Sequence, residues 1–268
     1  MPKQIPPVAL TIAGSDSGGG AGIQADLKTF AFHRVHGTSA LTCVTAQNTQ
    51  GVERVDALPA EAVRAQIEAV VKDLGEQALK TGMLLNQAII MTVAQTVTAL
   101  KLTNVVIDPV MVSRTGAQLI DDDAIATLRQ QLVPLATVLT PNRYEAQILS
   151  GVEIASLADM EQAAEKIYPL GPKAVLVKGG SMAGELRGID VWYDGRTLDV
   201  LRSETVDTLD THGTGCTLSA AIAANLALGY PPLAATQRAK TYVTAALHHA
   251  LRIGQGQGPV GHFYPLLS

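Results

Sequence analysis

Short segments rich in Val, Ile, Leu and Thr alternate with longer stretches of helical period along most of this chain, and that alternation constrains the fold more than any other feature. Two parallel strands cannot be joined by a tight turn, so each needs a crossover, which is right-handed and usually helical. The pattern therefore predicts an α/β fold with a mostly parallel central sheet. Strands are expected near Val8–Ala13, Ser39–Thr45, Ala78–Gly82, Val105–Asp108, Thr137–Leu139 and Ala174–Val177. Helices should begin near Ala21, Pro59, Asn86, Asp121, Asn142 and Ser156.

One stretch departs from the alternation. Gly188–Val191 and Thr197–Arg202 flank Asp194-Gly195, a turn signal for a hairpin, so the sheet should end in antiparallel strands. Two Ala-rich helical stretches follow, from about Gly213 to Ala227 and from Pro231 to Leu251. With 268 residues and no linker, repeat or low-complexity segment, one domain over 1–268 is expected.

Apolar residues make up 47% of the chain and charged ones 16%, enough for a large core and too little charge for a disordered chain. A net charge of −4 with no basic run gives no field for gathering polyanions, which argues against nucleic acid and requires any phosphate recognition to be local. Cys43 and Cys216 lack metal or redox spacing and cannot form a disulfide framework, which fits a cytoplasmic protein. Neither a signal peptide nor a membrane span is indicated.

The first candidate for chemistry is Ala13-Gly14-Ser15-Asp16-Ser17-Gly18-Gly19-Gly20-Ala21-Gly22, which follows a strand and leads into a helix. Its glycines would let the backbone fold closely over a flat ligand at the carboxyl end of the sheet. A flexible turn is the plain alternative. The run also matches a loose dinucleotide fingerprint, but Thr38–Gln50 holds no Asp or Glu to grip a ribose, which weakens a nicotinamide-dependent oxidoreductase. P-loop, zinc-peptidase and α/β-hydrolase signatures are absent from the sequence.

The second candidate is Asp210-Thr211-His212-Gly213-Thr214-Gly215-Cys216-Thr217, a glycine loop that opens an apolar helix. Unpaired amides and the positive end of the helix dipole would make Gly213, Thr214, Gly215 and Cys216 an anion hole suited to a phosphoryl group in transfer. An ordinary glycine N-cap is the alternative. Cys216 lies in the first helical turn, where the dipole favours a thiolate, so it is either a general base or a small residue walling the pocket. Cys43, inside an apolar strand, is expected in the core.

A third set follows other strands: Asp108-Pro109-Val110-Met111, Thr140-Pro141-Asn142-Arg143-Tyr144-Glu145, and Val177-Lys178-Gly179-Gly180. Asp108 and Glu145 at the carboxyl edge could hold Mg²⁺ partly through water, and Lys178 could meet a phosphate oxygen.

Taken together, the chain resembles the hydroxymethylpyrimidine/phosphomethylpyrimidine kinases of thiamine biosynthesis, a branch of the ribokinase superfamily. The resemblance rests on the run from Ala9 to Asp26, Gln47-Asn48-Thr49, Lys80-Thr81-Gly82-Met83-Leu84, Asp108 to Met111, Thr140-Pro141-Asn142, Val177 to Gly180, and Thr211 to Thr217. It implies a ribokinase-like three-layer α/β/α fold, ATP and Mg²⁺ as cofactors, a small pyrimidine as substrate and a homodimer. It further implies that Gly14, Asp16, Ala21, Gln47, Met83, Val110 and Cys216 bind the pyrimidine, with Gln47 reading its amino and ring-nitrogen edge. Lys178, Thr211, Gly213 and Gly215 would meet the nucleotide, and Asp108 and Glu145 would form the metal-water shell. Two successive phosphorylations are implied, of the alcohol and then of its monophosphate.

The chain departs from the family pattern at Ser181, where His is frequent, and at Arg114, where Lys is frequent. A similar scaffold with the same Cys also accepts pyridoxal, so pyridoxal kinase is the alternative, followed by the oxidoreductase and a silent metabolite sensor. The 111–120 loop and the Gly-rich 254–261 stretch are expected to be mobile covers.

Overall fold

The computed structural model describes residues 5–111, 118–180, 182 and 184–267. Arg114, Ser181 and most of the expected cover at 111–120 lie outside the described residues.

In chain order the elements are β1 (Val8–Asp16), α1 (Gly22–Phe32), β2 (His36–Gln47), β3 (Val52–Ala57), α2 (Ala60–Asp73), β4 (Ala78–Thr81), α3 (Gln87–Ala99), β5 (Val105–Ile107) and α4 (Asp122–Thr127). They continue as β6 (Val138–Leu139), α5 (Arg143–Ser150), α6 (Leu157–Ile167), β7 (Val175–Lys178), β8 (Ile189–Tyr193), β9 (Leu198–Arg202), α7 (Thr214–Ala227) and α8 (Pro232–His248). Each of the six expected helix starts is an N-cap. Asn86, Asp121, Asn142 and Ser156 accept a hydrogen bond from the amide three residues on, and Asn142 with Glu145 closes a capping box. The last helix ends at His248 rather than Leu251.

Among the described residues the sheet has nine strands in the order β3-β2-β1-β4-β5-β6-β7-β8-β9. β2, β1, β4, β5, β6 and β7 run parallel, and β3, β8 and β9 pair antiparallel at the edges. Alternate side chains of each strand serve opposite faces, so successive residues enter different cores. Leu10, Ile12, Leu79, Ile107 and Val177 pack under α2 to α6. Ala9, Ala78, Val106, Val138 and Leu176 pack under α1, α7 and α8. Three layers result, and α7, buried from Thr217 to Leu226, is apolar on every side because it lies between the sheet, α1 and α8.

β3 was not anticipated. Every residue of Val-Glu-Arg-Val-Asp-Ala is exposed, so the strand has no apolar face and leaves no alternation to read. From β1 the chain steps outward to β2 and later returns to the other side at β4. That reversal is the topological switch point at which open α/β sheets gather ligands beyond their carboxyl ends.

Candidate active site

β1 runs past its apolar stretch into the glycine loop and ends at Asp16, whose side chain is 3% exposed. Asp16 Oδ1 accepts the Gly18 amide at 2.8 Å, and Oδ2 accepts those of Gly20 at 3.0 Å and Ala21 at 2.8 Å. His212 Nε2 lies 2.8 Å from the same Oδ2. A carboxylate can only accept, so we place the imidazole proton on Nε2. Burial alone would raise the Asp16 carboxyl, but the His212 hydrogen bond and the Ala21 and Gly18 amides outweigh it and hold the group below its ordinary value. Asp16 therefore fastens its own loop to His212 instead of facing the cleft.

The two glycine loops touch. A Cβ on Gly213, at φ +81°, would lie 1.8 Å from the carbonyl oxygen of Gly20, and one on Gly20 would lie 2.3 Å from His212 Cδ2. Glycine is required at 213 by a backbone carbonyl and its positive φ, and at 20 by the imidazole of His212.

Gly213 caps α7. The Thr214 amide donates to the Thr211 carbonyl at 3.3 Å and that of Thr217 to Gly213 at 2.8 Å, whereas those of Gly215 and Cys216 have no protein acceptor among the described residues. The expected anion hole therefore narrows to the latter two amides, with Thr214 turned back on its own loop. A Cβ on Gly215 would sit 3.6 Å from Lys178 Nζ and 3.8 Å from Asp108 Oδ2, so the ends of β5 and β7 converge on the opening of α7. Lys178 Nζ donates to Asp108 Oδ1 at 2.7 Å. Burial opposes the ammonium, but Asp108 and Glu145 beside it raise its pKa overall.

Glu145 is buried, and Oε2 accepts the Asn142 amide at 2.7 Å. Burial pushes its carboxyl up to about 8 against the pull of Lys178. One acid with a raised pKa thus sits beside another that is ion-paired. Lys178 takes Asp108 Oδ1 and the α5 cap takes Glu145 Oε2, which leaves the other oxygen of each carboxyl outside those two bonds.

Cys216 corrects an expectation. Its position in the first turn of α7 argued for a lowered pKa, but burial pushes the thiol up, and Lys80 and the Gly22 amide offset this only in part. Beneath it lies an ion pair that sequence reasoning did not single out. Lys80 Nζ donates to Asp26 Oδ2 at 2.9 Å and to Oδ1 at 3.1 Å, Thr11 Oγ1 donates to Oδ2 at 2.6 Å, and both charged side chains are wholly buried. No sequence pattern announces such a pair, because its members are 54 residues apart.

A cleft of about 390 Å³ opens above these groups, lined by Asp108, Glu145, Lys178, Thr211 and Gly213 to Cys216 at one end. Val206, Leu218, Val243 and Leu247 line an apolar end. Ala21 and Val110 also line it, whereas Gly14, Asp16, Gln47 and Met83 do not. Gly14 instead packs against Met83 and Cys43, since a Cβ there would lie 3.1 Å from Met83 Cε and 2.7 Å from Cys43 Sγ. Gln47 Nε2 is 3.5 Å from His212 Nε2. Asp16 and Gln47 thus both meet His212, which itself lines the cleft, while Met83 lies beside Gly14.

The family model described as phosphomethylpyrimidine kinase matches residues 16–261. A hydroxymethylpyrimidine/phosphomethylpyrimidine kinase of Synechococcus elongatus is 65% identical over 97% of this chain and 98% of the relative. Among solved structures, a Bacillus subtilis pyridoxal kinase in complex with ADP superposes with a TM-score of 0.91 at 44% identity, covering 98% of this chain and 100% of that one. A phosphomethylpyrimidine kinase of Clostridium difficile does so with a TM-score of 0.82 at 42% identity, covering 90% and 99%.

Proposed function

The chain belongs to the phosphomethylpyrimidine kinase family, and from that premise we propose that it moves the γ-phosphoryl group of ATP onto 4-amino-5-hydroxymethyl-2-methylpyrimidine and then onto the monophosphate formed. The product would be the diphosphate used in thiamine diphosphate biosynthesis. The observation that carries this reading is the pair of unpartnered amides, Gly215 and Cys216, beside Lys178 and Asp108 at the floor of a cleft with an apolar far end.

In this assignment the adenine lies against Leu218, Val243 and Leu247, and the phosphates run toward Thr211, Gly213, Gly215 and Lys178. Mg²⁺ held through water by Asp108 and Glu145 would neutralise charge on the phosphates. The pyrimidine is assigned to the side of the cleft near Ala21, Val110 and His212, its amino and ring-nitrogen edge on Gln47, with Met83 and Val110 on its faces and Gly14 and Ala21 leaving room for it. Its hydroxymethyl oxygen forms a bond to the γ-phosphorus as the bond to the leaving oxygen of ADP breaks. Phosphoryl transfer is loose and depends on position and charge more than on a strong base. The thiol of Cys216 accordingly lines the reaction centre in its neutral form, and the hydroxyl proton leaves late, onto the transferred phosphoryl group. Asp16 acts at one remove, by orienting His212.

Phosphorylation of pyridoxal is the second reading, supported by the description of the Bacillus subtilis relative as a pyridoxal kinase. Turnover with ATP on the hydroxymethylpyrimidine, its monophosphate and pyridoxal separates the two. The first reading expects kcat/KM to be highest on the pyrimidines, and higher kcat/KM on pyridoxal would reverse it. We also assign a homodimer, supported by Val44, Val52 and Val55 standing exposed on the outermost hairpin, and a cytoplasmic location, supported by two free cysteines.

A further inference from the structure

The Gly-rich 254–261 stretch was expected to be a mobile cover, yet it and its flanks, residues 251–262, are fastened to both loops that frame the site. The Leu251 amide bonds to Pro259 O at 2.8 Å, closing the segment on itself. Its inner edge pairs with the phosphate-side loop, where the His212 amide donates to Gly258 O at 3.1 Å and the Val260 amide to His212 O at 3.3 Å. The Gly258 amide also meets Asp210 Oδ1 at 2.8 Å. Its outer edge hooks the turn after Gln47, where the Gly256 amide donates to Thr49 Oγ1 at 3.1 Å and the Gln257 amide to Thr49 O at 3.0 Å.

The glycines of this segment mark close approach. A Cβ on Gly256 would lie 2.0 Å from Thr49 O, and one on Gly258 would lie 1.9 Å from Leu251 O and 2.9 Å from Asp210 Oδ1. Behind it, His262 Nε2 is 2.9 Å from Thr217 Oγ1, and Tyr242 Oη donates to His262 O at 2.7 Å, which anchors the segment to α7 and α8. One strand of backbone thus bridges Thr49, two residues past Gln47, to His212, which opens the loop before α7.

We propose that residues 251–262 are a strap that sets the distance between Gln47 and His212, with Thr49 and Asp210 as the positioning residues that fasten it. The proposal rests on the kinase reading for its substrate, the pyrimidine. Thr49 and Asp210 do not line the cleft, whereas Gln257 of the strap and His212, which the strap holds, do, so loosening the strap at Thr49 acts first on the aromatic substrate through Gln47 and less on ATP.

The test is steady-state kinetics on the intact enzyme, with KM for the hydroxymethylpyrimidine and for ATP measured separately in Thr49→Val, Thr49→Ser and Asp210→Asn. Losing one net hydrogen bond corresponds to about fivefold in an equilibrium constant. Thr49→Val should raise the pyrimidine KM about fivefold and the ATP KM by less, and Thr49→Ser, which keeps the hydroxyl, should restore the original value. Asp210→Asn, which keeps an acceptor oxygen, should fall between them. Equal movement of both KM values, or no movement in either, overturns the strap. If the unaltered enzyme turns over no pyrimidine, the kinase reading fails instead. Amide exchange then decides the strap alone: faster exchange at His212 and Gly258 in Thr49→Val supports it, and unchanged exchange overturns it.

Discussion

His212 Nε2 lies 2.8 Å from Asp16 Oδ2, joining the loop after β1 to the loop before α7 across 196 residues of sequence. A hydrogen bond to a charged partner is worth about 1.5–3 kcal/mol, so Asp16→Ala should lower kcat/KM by about 10- to 100-fold. Because the folded pKa of Asp16 lies below its ordinary value of 3.8, the stability this carboxylate contributes is present above that pH and is lost as pH falls through the lower folded value. Acid titration of unfolding in the parent and in Asp16→Ala checks the sign: the two curves should converge only at the acid extreme.

Gly213→Ala should be severe. At φ +81° with a carbonyl oxygen 1.8 Å from the new Cβ, the substitution must push the loops apart and turn the Gly215 and Cys216 amides. Loss of a preorganised oxyanion donor costs about 10²–10³ in kcat, and that is the decrease expected here, with a smaller change in stability. Retention of more than a tenth of the activity would show that the loops need not touch.

Removing one member of the Lys80–Asp26 pair strands the other in a site with no access to solvent. Asp26→Asn or Lys80→Met should each destabilise the protein by about 3–5 kcal/mol, measured by urea unfolding. The double substitution Asp26→Leu with Lys80→Met should be milder than either single change.

Alkylation of Cys216 reports its protonation directly. Burial raises the thiol above its ordinary value of 9.0, so the rate of reaction with iodoacetamide should still be climbing beyond that pH. A plateau near neutrality would restore the thiolate base. Cys43 is also buried with a raised pKa, so labelling must be located by mass spectrometry.

His262 gives a second handle on pH. Burial, with Lys28 nearby, lowers its pKa from 6.5 to about 4, so the folded state binds fewer protons than the unfolded state in that interval. Stability is full above pH 6.5 and declines as pH falls toward about 4. The total loss should be on the order of 3 kcal/mol. His262→Gln should flatten that part of the profile in thermal unfolding, with the C-terminal strap the first region to lose protection.

Much of the architecture was legible in the sequence because strands and helices of a parallel sheet carry distinct periods, and because Asn86, Asp121, Asn142 and Ser156 announce helix starts chemically. β3 was not, since a strand exposed on both faces has no period of burial. The site was legible where function is written in glycine: Gly213 meets the Gly20 carbonyl and Gly20 meets the His212 imidazole too closely for any side chain. It was illegible where side chains meet across the fold. Asp16 gave no sign that His212 would claim it, the thiol of Cys216 obeys burial rather than the helix end, and Thr49 became an anchor only when residues 254–261 folded over it.

The buried pair at positions 26 and 80 bears on descent as well as on stability. Either charge alone would be trapped in an apolar interior, so a lineage cannot change one position and wait for the other. Substitutions there are expected to arrive together or not at all, leaving a correlated signature in sequences that diverged from this one.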